Sequence, residues 1–177
     1  MKLEVLTPPA EEPVTLLEAK RYARLHTDLT DDDSLVESLI QSARELLEAR
    51  IARRFITATL RETRVIPPDG RVRLLRAPVA EIINVEIDGE PLTLPLQLIG
   101  EATLNLGNPG KTATVTYKAG YGAANQVPEA ARLAILLLVT HWFDRRSPVS
   151  DRPVNDLPFS VQALADSLRW GGEMPPQ

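Results

Sequence analysis

The stretch from Val127 to Arg146, VPEAARLAILLLVTHWFDRR, constrains this chain more than any other, because its densest apolar run lies there between clear start and stop signals. Pro128 suits the first turn of a helix, where its missing N–H costs nothing, and Glu129 complements the positive end of the helix dipole. Arg145 and Arg146 do the converse at the far end, and Pro148 prevents further helix. Leu133 to Val139 is apolar at every position, so no face of this helix is a wet face. Such a helix must be surrounded on most sides, as a core element or a subunit contact. A membrane span would need roughly 18 or more uninterrupted apolar residues, and Arg132 and His141 bound the run too tightly for that.

A chain of 177 residues has room for one core of ordinary depth and appendages. The expected division is a domain over residues 1–146 and a linker with a C-terminal arm over 147–177. Within the first, helices are expected at about 15–26, 32–53 and 128–146, around a β-rich insertion at about 57–118. Twenty basic against 24 acidic residues leave a formal charge of −4, unlike the basic footprint of a dedicated nucleic-acid binder. With no cysteine, a disulfide framework, a thiol nucleophile and a thiolate metal site are all excluded. The start, MKLEVLTPPAEEP, lacks the apolar segment of a secretory signal, so an intracellular product is expected.

Taken in order, Met1 to Pro13 reads as an extended arm. Thr15 and Glu18 form a capping-box pair, each able to satisfy the other's free backbone N–H at a helix start. Thr30 to Ser34 opens a second helix with acids where the dipole favours them. Leu35, Val36, Leu39, Ile40, Ala43, Leu46, Leu47 and Ile51 then recur on one helical face. The period changes after that. Thr57 to Ile66, Arg71 to Leu75, Ala80 to Ile87, Ala102 to Leu106 and Thr112 to Tyr117 read as short strands. Pro67-Pro68-Asp69-Gly70, Asn108-Pro109-Gly110 and the two-residue turn Asp88-Gly89 punctuate them, the last leading to a strand at Pro91 to Leu94. The class is α+β: a mainly helical core of two long helices and a short N-terminal one, with a small inserted antiparallel sheet. After a proline-studded linker, Ser147 to Pro158, a last short helix is expected over Phe159 to Trp170, and Gly171 to Gln177 reads as a loose end.

No residue constellation nominates a reaction, a metal or a cofactor. His141 near Asp144 is read as a structural histidine at a helix end, and His26 lies in another element. Asp31 to Asp33 fall in a helical first turn and lack the spaced ligands of a calcium loop. Gly120-Tyr121-Gly122 sits where a dinucleotide fingerprint would lie. Asn125 replaces the third glycine and no βαβ pattern surrounds it, so these glycines are read as a sheet-to-helix turn. Ser147 and Ser150 have no glycine elbow. The uneven feature of charge is the arginine series Arg50, Arg53, Arg54, Arg61, Arg64, Arg71, Arg73 and Arg76, against only Glu62 and Asp69. Such a cluster suits phosphates, and it equally suits acidic surfaces of neighbouring subunits; the reading favours subunit or solvent roles.

Four segments in order, VTLLEAKRYARL, DDDSLVESLIQSARELLEARIARRF, RAPVAEIINVEIDGE and VTYKAGYGAANQVPEAARLAILLLVTHWFDRR, resemble the tailed-phage head-tail connector (adaptor, head-completion) family over about Val14 to Arg146. The resemblance rests on collinearity, above all of Tyr117-Lys118-Ala119-Gly120-Tyr121-Gly122 with Val127-Pro128 and His141-Trp142-Phe143. The position of Phe143 is often tyrosine in such proteins. The resemblance implies a structural protein and no enzyme: a ring of about a dozen copies beneath the portal protein. That ring extends the DNA channel and offers a surface to the next head-completion or tail-terminator protein. DNA passes without sequence-specific binding. The isolated subunit is expected to be monomeric, present in the host cytoplasm during assembly and then in the neck of a phage, prophage or gene transfer particle. Four large apolar residues on the proline-rich arm, Phe159, Leu164, Leu168 and Trp170, are the expected portal anchors; the alternative is that this helix covers the domain's own core. The alternative is a nucleic-acid-binding packaging factor that uses the Arg50–Arg76 cluster.

Overall fold

The computed structural model describes residues 1–93, 96–145 and 157–169. Most of the expected linker Ser147–Pro158, with Arg146, Trp170 and the tail Gly171–Gln177, lies outside them, as does Leu94. The described residues combine helices with antiparallel sheets, the expected α+β class. They fall into two compact units, Met1–Glu11 with Ala52–Ala123, and the described part of Glu12–Ile51 with Ala124–Gln177.

The first unit is built of strands. A five-stranded antiparallel sheet has the order β1 (Lys2–Thr7), β2 (Ala58–Val65), β8 (Thr112–Ala119), β4 (Val79–Ile87), β5 (Glu90–Pro91). A three-stranded sheet runs β3 (Arg71–Arg73), β7 (Thr103–Asn105), β6 (Leu98–Ile99). Buried Leu60, Val115 and Tyr117 of the larger sheet share one apolar cluster with Val72 and Leu104 of the smaller, so the two sheets face each other across a core of their own. Asp88 and Gly89 both take positive φ, +53° and +88°, as a tight two-residue hairpin requires.

The N-terminal residues expected as an extended arm are instead the edge strand of this sheet. Leu3 pairs with Glu62 and Val5 with Leu60, which brings Leu3 against the core cluster and turns Lys2 and Glu4 to the other face. The two-residue alternation in Lys2-Leu3-Glu4-Val5 was the available signal.

The second unit is helical. Helices α1 (Leu16–Tyr22), α2 (Asp33–Ile51), α3 (Glu129–Asp144) and α4 (Phe159–Arg169) pack so that α2 and α3 touch each other, and each touches both α1 and α4. The expected capping box is present: the Thr15 N–H donates to Glu18 Oε2 at 2.8 Å, and the Glu18 N–H donates to Thr15 Oγ1 at 3.2 Å. These bonds, with the Arg132 guanidinium, hold the Glu18 carboxyl below its usual range. Thr15→Ala should lower stability by about 1 kcal/mol in chemical denaturation, with the loss of helix confined to α1. Buried Lys20 donates to the Thr27 carbonyl at 3.2 Å, to the Leu29 carbonyl and to Asp33 Oδ1 at 2.6 Å, so one ammonium organises the α1–α2 loop. Arg44, also buried, reaches Glu12 at 2.7 Å and Glu48 at 3.2 Å. Burial works against its charge, but Glu12 and then Glu48 and Glu45 outweigh that, and its pKa is raised.

Candidate assembly surfaces

The Gly120-Tyr121-Gly122 motif lies in the strand unit as a clasp. The Gly120 N–H donates to the Pro78 carbonyl, the Tyr121 N–H to the Phe55 carbonyl and the Thr57 N–H to the Gly122 carbonyl, each at 3.0 Å. Chain segments 55–57 and 120–122 thus lie side by side, and Ile56 and Gly122 form a parallel bridge. Gly120 has φ +140°, and a Cβ there would come within 2.6 Å of Thr57 Cα and N. Only glycine permits this approach. Arg53, 5% exposed, closes the clasp by donating to Tyr121 Oη at 3.0 Å and Glu101 Oε2 at 2.7 Å. Burial pushes the Tyr121 phenol up, against the opposing pull of Arg53. The motif therefore serves packing, as a sheet-to-helix connection with a close backbone contact.

The arginine series does not converge on one face. Arg64, partly buried, donates to Glu62 Oε1 at 3.2 Å and to the Arg73 carbonyl. Arg53 belongs to the clasp, while Arg54 and Arg76 are half-buried beside it. Arg61 alternates with buried Leu60 and Glu62 and so faces away from the core on the larger sheet. Arg71 and Arg73 flank buried Val72 on the smaller sheet and face outward from the opposite layer. Arg50 is exposed on α2 of the other unit. Spacing along the chain gave no warning of this, because strand alternation and the two layers send neighbouring arginines in opposite directions.

Glu62, which the sequence presents only as a counter-charge to the arginines, is a buried polar centre. It is fully buried and accepts from the Leu75 N–H at 2.8 Å, from Tyr117 Oη at 3.3 Å and from Arg64. Burial, with Glu62 close by, pushes the Tyr117 phenol far above its usual range. This network ties the end of β3 to the middle of the larger sheet.

In the helical unit, α3 buries Ala131, Ala134, Ile135, Leu138, Val139 and Phe143. The apolar run is not surrounded, however: Leu136 and Leu137 are half-buried and Leu133 is 39% exposed. Beside them α1 and α3 border a groove of about 640 Å³, lined by Tyr22, Ala130, Leu133 and Leu136 and rimmed by Glu18, Arg21, Glu129 and Arg132. His141 is half-buried in the last turn of α3; burial lowers its pKa, Arg145 adds to that and Asp144 opposes it.

The expected portal anchors separate in the same way. Val161, Ala165 and Leu168 form the buried side of α4 against α2 and α3, so Leu168 holds the helix to its own unit. Leu164 is half-buried, and Phe159 is 86% exposed. Trp170 lies outside the described residues. Among the described residues no helix is long and apolar enough to cross a membrane, and no group of three or more His, Cys, Asp or Glu side chains is placed to hold a metal.

The same fold occurs in three solved particle structures. A chain in the neck of an empty GTA particle, computed with C6 symmetry, is 20% identical with a TM-score of 0.77, covering 96% of this chain and 95% of that one. A chain in the virion of a native gene transfer agent particle is 20% identical with a TM-score of 0.78 and the same coverage. One from the neck of a native GTA particle, computed with C12 symmetry, is 19% identical at a TM-score of 0.70, again with that coverage. No curated protein matches. The Head completion protein family model matches residues 13–155, from the turn before α1 past the end of α3 and so without β1 and α4, and the chain belongs to that family.

Proposed function

We propose that this protein is a head-tail connector subunit in the neck of a phage or phage-like gene transfer particle. A ring of copies beneath the portal protein extends the DNA channel and receives the next head-completion or tail protein. The observation that carries this reading is the family match over residues 13–155, supported by a fold shared with neck chains at nearly full length. Physically, the job is contact between proteins, and the molecule offers rigid surfaces for it: two sheets with their own core, and helices with an open apolar side. The scattered arginines weigh against the alternative of a dedicated DNA-binding factor, since phosphate neutralisation needs several cations on one face.

The portal contact is assigned to the exposed start of α4. Phe159 is the accessible aromatic there; half-buried Leu164, five residues on, points to a different side of the helix. Phe159→Ser should leave the helical circular dichroism and melting unchanged, because the side chain contributes little to its own unit. It should weaken co-sedimentation with portal rings by roughly thirtyfold, the size of an interface hot spot. Unaltered portal binding would remove α4 from that interface.

A further inference from the structure

We propose that the groove between α1 and α3 receives the outer face of α2 from a second copy of this chain, so that Leu46 of one copy lies over Leu133 of the next and Arg50 meets Glu129. The inference rests on the ring reading above and names the surfaces through which neighbouring copies join.

A closed ring of identical subunits needs two different, complementary surfaces on each subunit. The groove is one of them. Its apolar floor, with Tyr22 40% and Leu133 39% exposed, continues the side of α3 that its own unit leaves uncovered. An all-apolar helical run with an open side is the signature of a surface that another chain covers. The second surface lies on α2, which takes no part in lining the groove. Leu46 is 39% exposed on that helix, on an outward face with no bulky apolar neighbour: Ser42 lies one turn before it, Ala49 and Arg50 one turn after.

Spacing and charge agree. Leu46 and Arg50 are one helical turn apart on α2, and Glu129 and Leu133 are one turn apart on α3. Laid antiparallel, the two helices place leucine on leucine and arginine on glutamate in a single register. Arg50 has no ion-pair partner among the described residues, and Glu129 has only a long 3.9 Å approach to Arg132 with its side chain 89% exposed. Both charges are thus available. Farther along in the same register, exposed Ser42 meets half-buried Leu137, so nothing bulky obstructs the approach.

The absence of cysteine makes a clean test possible. Chains carrying only Leu46→Cys and chains carrying only Leu133→Cys are co-expressed in place of the native protein, and purified particles are treated with a short bis-maleimide. Linked pairs should form only where both substitutions are present, since one thiol per chain excludes an internal link. Both chains present in particles without a linked pair would overturn the inference and leave the ring reading standing. A link from either chain only to some other particle protein would also overturn it. Absence of the unaltered chain from purified particles would overturn the ring reading, and the inference with it. As a second measurement, Arg50→Glu and Glu129→Arg should each lower incorporation into particles about tenfold, and the two together should restore it. Failure of the double substitution to restore incorporation, with each folded by circular dichroism, would count against the pairing.

Discussion

Gly120→Ala is expected to lower the stability of the strand unit by about 4 kcal/mol or more. The added methyl would meet the Thr57 backbone at 2.6 Å, and no side-chain rotation relieves a clash with backbone. Either segment 120–122 or segment 55–57 must move, and the two backbone hydrogen bonds between them go; a shift of 120–122 also breaks the Gly120–Pro78 bond. Strain at an unfavourable φ and bonds of about 1 kcal/mol each bring the cost to about 4 kcal/mol or more, a large part of a stability of about 5–15 kcal/mol. For a chain of this size that is a fall in Tm of about 10 °C. Gly89→Ala is the control. Its φ is also positive, +88°, but a Cβ there meets nothing within 4 Å, so about 1–2 kcal/mol is expected. Equal losses at the two positions would mean that backbone conformation, and not the close approach at Gly120, sets the cost.

Glu62→Ala should cost nearly as much for a different reason. The carboxylate is fully buried and satisfies the Leu75 N–H, the Tyr117 hydroxyl and Arg64 together. Its removal strands donors inside the core and leaves Arg64 without its carboxylate partner, a loss of about 3–5 kcal/mol. Glu62→Gln keeps the shape and an acceptor and should lose less, about 1–2 kcal/mol. Tyr117→Phe leaves the other two donors in place and should be milder still. Urea unfolding of the three variants gives the order directly; an alanine variant as stable as the glutamine one would show that the network contributes little.

Both positions bear on what could be read in the residues alone. The helices were legible because their signals are local: the Thr15–Glu18 box, the apolar spacing of α2, and Pro128-Glu129 at the start of α3 all lie within a few residues of what they specify. The hairpin turn at Asp88-Gly89 was legible for the same reason. Glu62 and Tyr117 are 55 positions apart, and nothing near either one announces that they meet in a core. The Gly-Tyr-Gly motif was correctly read as a turn, but its need for glycine comes from Thr57, which the chain order places far away. The strand at Lys2–Thr7 was missed because prolines and acids nearby suggested an arm, although its alternation was visible. Among the anchors on α4, helical spacing alone separates Leu168 from Phe159, once it is known which side of the helix faces α2 and α3.

Electron microscopy of particles made without this chain tests most directly whether it works as a repeated structural part of a particle neck. Deleting its gene should yield DNA-filled heads lacking tails, and the native gene supplied in trans should restore complete particles. Complete, transducing or infectious particles assembled in its absence would contradict the account.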